Sequence, residues 1–134
     1  MGSLYTSIIP NLLSDGIIEV LDKCRAKIMY VCNMMTQPGE TDDYTVSDHV
    51  NTINTYLGKK KIEVVIANNG DIPNNILKKY ETEEQKDKVI FDEDMLQNLK
   101  VIRNNYVTIN DEIIRHKVNK LSLDIYDYLL EEDE

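Results

Sequence analysis

AKIMYVCN, residues 26–33, is apolar on both of its alternating faces: Ile28, Tyr30 and Cys32 on one, Met29 and Val31 on the other. IEVVIANN, residues 62–69, repeats the pattern, with Ile62, Val64 and Ile66 set against Val65 and Ala67. A strand with one wetted face would alternate apolar and polar residues. A strand apolar on both faces belongs in a sheet that helices cover on each side, the habit of parallel sheets. Between the two lies TVSDHVNTINTYLG, residues 45–58. Thr45 and Asp48 have the spacing of a capping box, Val46, Val50, Ile53 and Leu57 form an apolar helical stripe, and Gly58 suits a C-terminal stop. Strand, helix and strand at this spacing make a βαβ unit with a right-handed crossover.

Working outward, residues 3–13 and 15–23 read as two short helices, with Pro10 kinking the first or starting a new turn. Downstream, residues 74–84 read as a helix, KVIF (88–91) as a short strand and residues 92–99 as a capped helix. A strand-like patch follows at 106–109. The last helix covers about 118–130, with Leu121, Ile125 and Leu129 on one face. The alternation predicts an α/β fold, a three-layer α/β/α sandwich with a Rossmann-like, mostly parallel sheet.

At 134 residues the chain has the length of one domain, and no linker or internal repeat divides it. The acidic end 131–134 reads as a solvated tail. A net charge of −9 argues against the basic face that nucleic-acid binding needs, though a small anionic ligand can still be held locally. No window approaches the ~20 apolar residues of a membrane span. The opening MGSLYTSII lacks the plan of a secretory leader. Cys24 and Cys32, without CxxC spacing, read as buried reduced thiols, so a cytoplasmic location is expected.

Open α/β sheets bind ligands beyond the carboxyl ends of their strands, and three stretches fall at such ends or at helix starts. In GSLYTS, Gly2, Ser3 and Thr6 could form a phosphate site at a helix start or an ordinary Ser N-cap. In NMMTQPGETDDYT, Asn33 ends its strand and Thr36, Gln37, Glu40 and Thr41 supply donors and acceptors, to a ligand or to solvent; Asp42 and Asp43 read as structural. In ANNGDIP, Asn68 and Asn69 hold the position Asn33 holds on the first strand. His49, beside the helix stripe, reads as a packed histidine. Arg115 and His116, before the last helix, could hold an anion or sit in a surface ion pair. Tyr80 could stack on a ring or cover a helix end. No residues have metal-ligand or nucleophile-base spacing, so no metal site and no catalytic residue is assigned.

Three runs, GSLYTSIIPNLL (2–13), YVCNMMTQPGETDDYTVSDHV (30–50) and IIRHK (113–117), resemble the C-terminal half of the YvcK-type gluconeogenesis factors, which group with the CofD 2-phospho-L-lactate transferases. The resemblance implies a cytoplasmic bacterial protein that binds a nucleotide-sugar of the UDP-N-acetylglucosamine kind and supports gluconeogenic growth and cell shape, with no required cofactor. Tyr80 and Arg115 would contact the nucleotide-sugar, and Ser3, Asn33 and Thr36 would line the same crevice. The relatives' Gly-rich N-terminal half is absent, so the chain reads as a fragment of a larger domain whose sheet exposes an edge, favouring a homo-oligomer or low stability. Val118 stands where some relatives carry a phosphorylatable threonine. Two alternatives stay open. One is a transferase moving a phospholactyl group from a nucleotide to a deazaflavin alcohol, with Mg assisting and Glu40 and Asp42 contributing. The other is a scaffold module for cell-wall synthesis proteins.

Overall fold

The computed structural model describes residues 4–132. Gly2, Ser3, the end of the acidic tail and the side chain of Thr6 lie outside what it describes.

Val64, Val65 and Ile66 have no exposed surface, because their strand is the middle one of three. Strand β1 (Ile28–Val31) and strand β2 (Ile62–Asn68) run parallel, with a register irregularity after Ile28 and then Met29 opposite Val64 and Val31 opposite Ile66. Strand β3 (Lys100–Asn104) pairs parallel with the other side of β2, so the order is β1-β2-β3.

One face of the sheet offers Tyr30, Cys32, Val65 and Ala67 to a single apolar cluster. A π-helical turn (Leu4–Ile8), helix α1 (Ile9–Leu12) and helix α3 (Val46–Tyr56) complete it with Leu4, Ile9, Val46, Val50, Ile53 and Leu57. The short helix α2 (Ile17–Lys23) adds Ile18 and Leu21 at the margin. Helix α5 (Val118–Glu132) crosses the opposite side. Its Asp124 carboxylate accepts the Asn104 amide at 3.0 Å and the Tyr106 hydroxyl at 2.5 Å, while Lys27 donates to the Tyr128 hydroxyl at 3.2 Å. Helices therefore cover both faces, and the layered α/β expectation holds.

The capping box of α3 is present: the Asp48 amide donates to the Thr45 hydroxyl at 3.2 Å and the Thr45 amide to the Asp48 carboxylate at 3.0 Å. Gly58, read as a C-terminal stop, has a packing reason to be glycine. The helix ends in extended backbone at Leu57, and a Cβ at Gly58 would collide with Asp22 and Ile18 of α2.

Helix α4 (Asn74–Glu84) begins after Pro73, as its sequence predicts. It packs Ile76, Leu77 and Tyr80 with Met34, Met35, Val107, Ile109 and Ile114 in a second, smaller cluster beyond the strand ends. Above it stands an antiparallel hairpin, β4 (Val107–Asn110) and β5 (Ile113–His116). Its two turn residues, Asp111 and Glu112, both have positive φ (51° and 64°), the twist a two-residue hairpin requires. Glu112 is held there by Lys79 of α4, 2.5 Å away.

Several sequence expectations need correction. The stretch read as a helix over 92–99 contains only a 3-10 turn, Glu93–Leu96, and the carboxylate of Asp92 caps α3 instead. Strand β3, which follows it, was not read as a strand. KVIF contributes bridges to Met35 and Thr45 rather than a strand of the sheet. The patch at 106–109 and the IIRHK run are the two arms of one hairpin. On α5 the inward stripe is Leu121, Asp124, Ile125 and Tyr128, and Leu129 is half exposed.

Candidate functional site

Because β1 and β2 are parallel neighbours, Asn33 and Asn68 leave the sheet at the same rim. The room, however, lies over the exit of β1. A cleft of about 510 Å³ opens there between the loop after β1, the end of α4 and strand β5. Its lining includes Asn33, Met34, Met35 and Gln37 from the loop, Tyr80 and Glu84 from α4, Lys86, and residues 113–116 of β5. Between Asn33 and Asn68 only a narrow fissure remains, of about 10 Å³.

The cleft is built by short-range chemistry. After β1 the chain turns at Pro38-Gly39, where Gly39 takes φ +76°. Thr41, buried, accepts the Gln37 amide on its hydroxyl at 2.7 Å, and Asp42 accepts the Gly39 amide at 2.8 Å. Thr36, also buried, is anchored at both ends: its amide donates to the Asp87 carbonyl at 2.8 Å, and its hydroxyl accepts the Asp87 amide at 3.0 Å. The polar side chains of this loop serve largely to satisfy the loop itself. Asn33 and Gln37 reach the cleft lining, whereas Thr36, Glu40 and Thr41 do not.

On the far wall, the Tyr80 hydroxyl accepts the Ile114 amide at 2.9 Å, which fixes the distance between α4 and the hairpin. Arg115 is exposed on the next residue and makes no hydrogen bond or ion pair among the described residues. Lys86 stands 3.9 Å from Glu84 and adds a second cation. Burial lowers the pKa of His116, against the pull of the Cys32 backbone carbonyl that its ring faces, so at neutral pH it offers a neutral imidazole. The apolar floor is Met34 and Met35.

Asn68 and Asn69 are not part of this lining. The Asn68 amide is consumed by its own loop: Oδ1 accepts the Gly70 and Tyr106 amides at 3.0 and 2.9 Å, and Nδ2 donates to the Gly70 carbonyl at 3.0 Å. Asn69 continues the pairing with Asn104 through its backbone amide at 2.9 Å. His49 is fully buried against Tyr44, and its Nδ1 contacts the Thr45 carbonyl at 2.8 Å, as a packed histidine does. Lys86 and the two methionines were missed because nothing in their local sequence marks them; only the fold brings them to Arg115. Among the described residues no group of three His, Cys, Asp or Glu side chains gathers as a metal site, and no helix is long and apolar enough to cross a membrane.

A family model described as 2-phospho-L-lactate transferase CofD matches residues 1–107. The chain belongs to the CofD family. Within that family, it is 46% identical over 132 residues to the gluconeogenesis factor of Bacillus subtilis, covering 97% of this chain and 41% of that protein. It is 40% identical over 123 residues to the gluconeogenesis factor of Halalkalibacterium halodurans, covering 90% and 38%. A crystal structure of a UPF0052 family member from Bacillus halodurans superposes with a TM-score of 0.88 at 38% identity, covering 93% of this chain and 41% of that one. The chain thus spans about two fifths of the length of these relatives. Sheet, α3 and α4 lie inside the match to the CofD family model; Arg115 lies beyond it.

Proposed function

We propose that the cleft over β1 binds a nucleotide-sugar of the UDP-N-acetylglucosamine kind, and that the protein is a binding regulator of gluconeogenic growth and cell shape rather than a catalyst. The observation that carries this reading is Arg115, an uncommitted guanidinium on the wall of a 510 Å³ cleft. A planar guanidinium matches a diphosphate in two parallel hydrogen bonds. Beside it, Tyr80 offers a ring face, Gln37 and Asn33 offer amides for sugar hydroxyls, and Met34 and Met35 offer an apolar floor. The volume lies within the range of small-molecule sites. The names of the relatives support the gluconeogenic context.

A thermal upshift with UDP-N-acetylglucosamine tests the reading. Wild-type protein should be stabilised, Arg115→Ala should lose most of the shift, and Arg115→Lys should keep only part of it. No shift in wild type, or an equal shift in all three, would overturn the assignment.

The description of the matched family favours a second reading, transfer of a phospholactyl group from a nucleotide to a deazaflavin alcohol. Incubation with acceptor, activated donor and Mg, followed by a search for the phosphodiester product, separates the two: product supports the transferase, and binding without product supports the regulator.

A further inference from the structure

Among the described residues strand β3 pairs only with β2, so its outer edge is open. The Asn69 amide donates to the Asn104 carbonyl, and the parallel register therefore turns the backbone groups of Asn104, Ile102 and Lys100 towards β2. The alternate residues, Val101 and Arg103, turn their N–H and C=O groups away from the sheet. Edge strands are commonly guarded by a charged side chain that projects past the edge. Arg103 is laid back instead: its guanidinium carbon is 3.7 Å from the centre of the Phe91 ring, and it donates to the Asn68 carbonyl at 3.3 Å. Each face beside the open edge carries a hollow, and Val101 and Arg103 line both. On the face that packs with α3, a trough of about 510 Å³, distinct from the cleft over β1, is walled by Phe91, Leu96 and Leu99. On the α5 face, a hollow of about 330 Å³ is walled by Asp124, Asp127 and Glu131, with Lys100 also in its lining. Asp124 is spent on Asn104 and Tyr106, whereas Asp127 and Glu131 pair with no cation among the described residues.

We propose that the β3 edge takes an extended segment of another protein as an added strand, one in which basic and apolar residues alternate. The outward N–H and C=O groups of Val101 and Arg103 offer backbone bonds to a strand lying about 4.8 Å away. A helical partner could not use them, because its own backbone groups are spent within the helix. The pleat sends successive side chains of an added strand to opposite faces, so alternate residues enter the two hollows. The trough of Phe91, Leu96 and Leu99 removes an apolar side chain from water. The hollow on the other face sets the unpaired carboxylates of Asp127 and Glu131 against an ammonium or guanidinium, and repels an acidic side chain. Because the two hollows differ in chemistry, they read the order of the residues and not only their composition.

Fluorescence polarisation of a labelled octapeptide alternating lysine and leucine, capped at both ends and titrated with the intact chain, tests this. The peptide should bind, and one of the same composition with its lysines and leucines in two blocks should bind several-fold more weakly. Equal binding of the two would mean that a net charge of −9 merely collects cations, and it overturns the proposal. Asp127→Lys combined with Glu131→Lys, both exposed on α5, should weaken the lysine peptide several-fold and favour a peptide with glutamate in place of lysine. An unchanged preference overturns the proposal. N-methylation removes backbone donors without touching the protein: methylating one alternate set of residues should abolish binding, and methylating the other should leave it. Equal tolerance of both sets overturns strand pairing. So does an absence of binding, as when another segment or a second copy already covers the edge.

Discussion

The hydroxyl of Tyr80 accepts the backbone amide of Ile114 at 2.9 Å, and through that bond α4 sets the position of the residue next in line, Arg115. Tyr80→Phe keeps the ring and removes the acceptor, stranding a half-buried amide. The expected cost is about 1 kcal/mol, or roughly 3–6 °C in melting temperature for a chain of this size. The hairpin then holds Arg115 less firmly, so the stabilisation by UDP-N-acetylglucosamine should shrink, though less than in Arg115→Ala. A Tyr80→Phe protein that melts with wild type would show that the bond does not hold the cleft.

Asp92 joins the start of α3 to the stretch before β3. Its carboxylate accepts the Ser47 amide at 2.9 Å, the Thr45 hydroxyl at 2.9 Å and the Ser47 hydroxyl. Burial of the carboxyl works against ionisation, but the bonds from Ser47 and Thr45 outweigh it and hold the pKa below the usual value. A lowered folded-state pKa means stability that is present above the unfolded value of about 3.9 and lost as pH falls through the folded value. Asp92→Asn should therefore cost about 1–2 kcal/mol at neutral pH, the scale of a lost helix cap. Urea unfolding at pH 7 and pH 3 should show that cost shrinking in acid; an equal cost at both would refute the ionic cap.

How far the sequence disclosed this molecule follows from the range of each interaction. β1, α3, β2 and α4 were legible because their periodicity is unbroken and the Thr45–Asp48 cap is closed within three residues. The role of Asp92 in capping α3 was not legible because its partners lie 45 and 47 positions away. β3 escaped because KVIRN is short, charged near both ends, and an edge strand with no fully buried residue. In the cleft, the strand-end position of Asn33 could be read directly and Arg115 from the resemblance. That Thr36 and Thr41 turn their hydroxyls inward could not, since the choice between loop and ligand is made by backbone geometry.

The two thiols should behave differently. Cys24, expected to be buried, is exposed at the end of α2, whereas Cys32, the residue after β1, is 2% exposed. Burial pushes the Cys32 pKa up to about 12. Because the thiolate is the reactive form, a disulfide reagent at pH 8 should titrate one thiol per native chain, and both only in denaturant. Equal reaction of both thiols in native protein would mean that the α1–α3 layer does not seal β1.

Asn68 offers the sharpest test of scaffold against ligand contact. Its carboxamide stands at the rim of the sheet, where a ligand-binding amide is expected, yet it spends Oδ1 on the amides of Gly70 and Tyr106 and Nδ2 on the Gly70 carbonyl. Tyr106 is 1% exposed, and it ends the connection from β3 into the hairpin. Asn68→Ala leaves two amides without their acceptor, a cost of about 1–3 kcal/mol for each one that water cannot reach. Asn68→Asp keeps the acceptor oxygen and loses only the donor, so it should recover most of the stability. Nucleotide-sugar affinity, measured well below the melting temperature of each variant, should change little in either, because neither side chain lines the 510 Å³ cleft. Were Asn68→Ala to melt with wild type yet lose affinity as Arg115→Ala does, Asn68 would be a ligand contact and the cleft would extend across both strand ends.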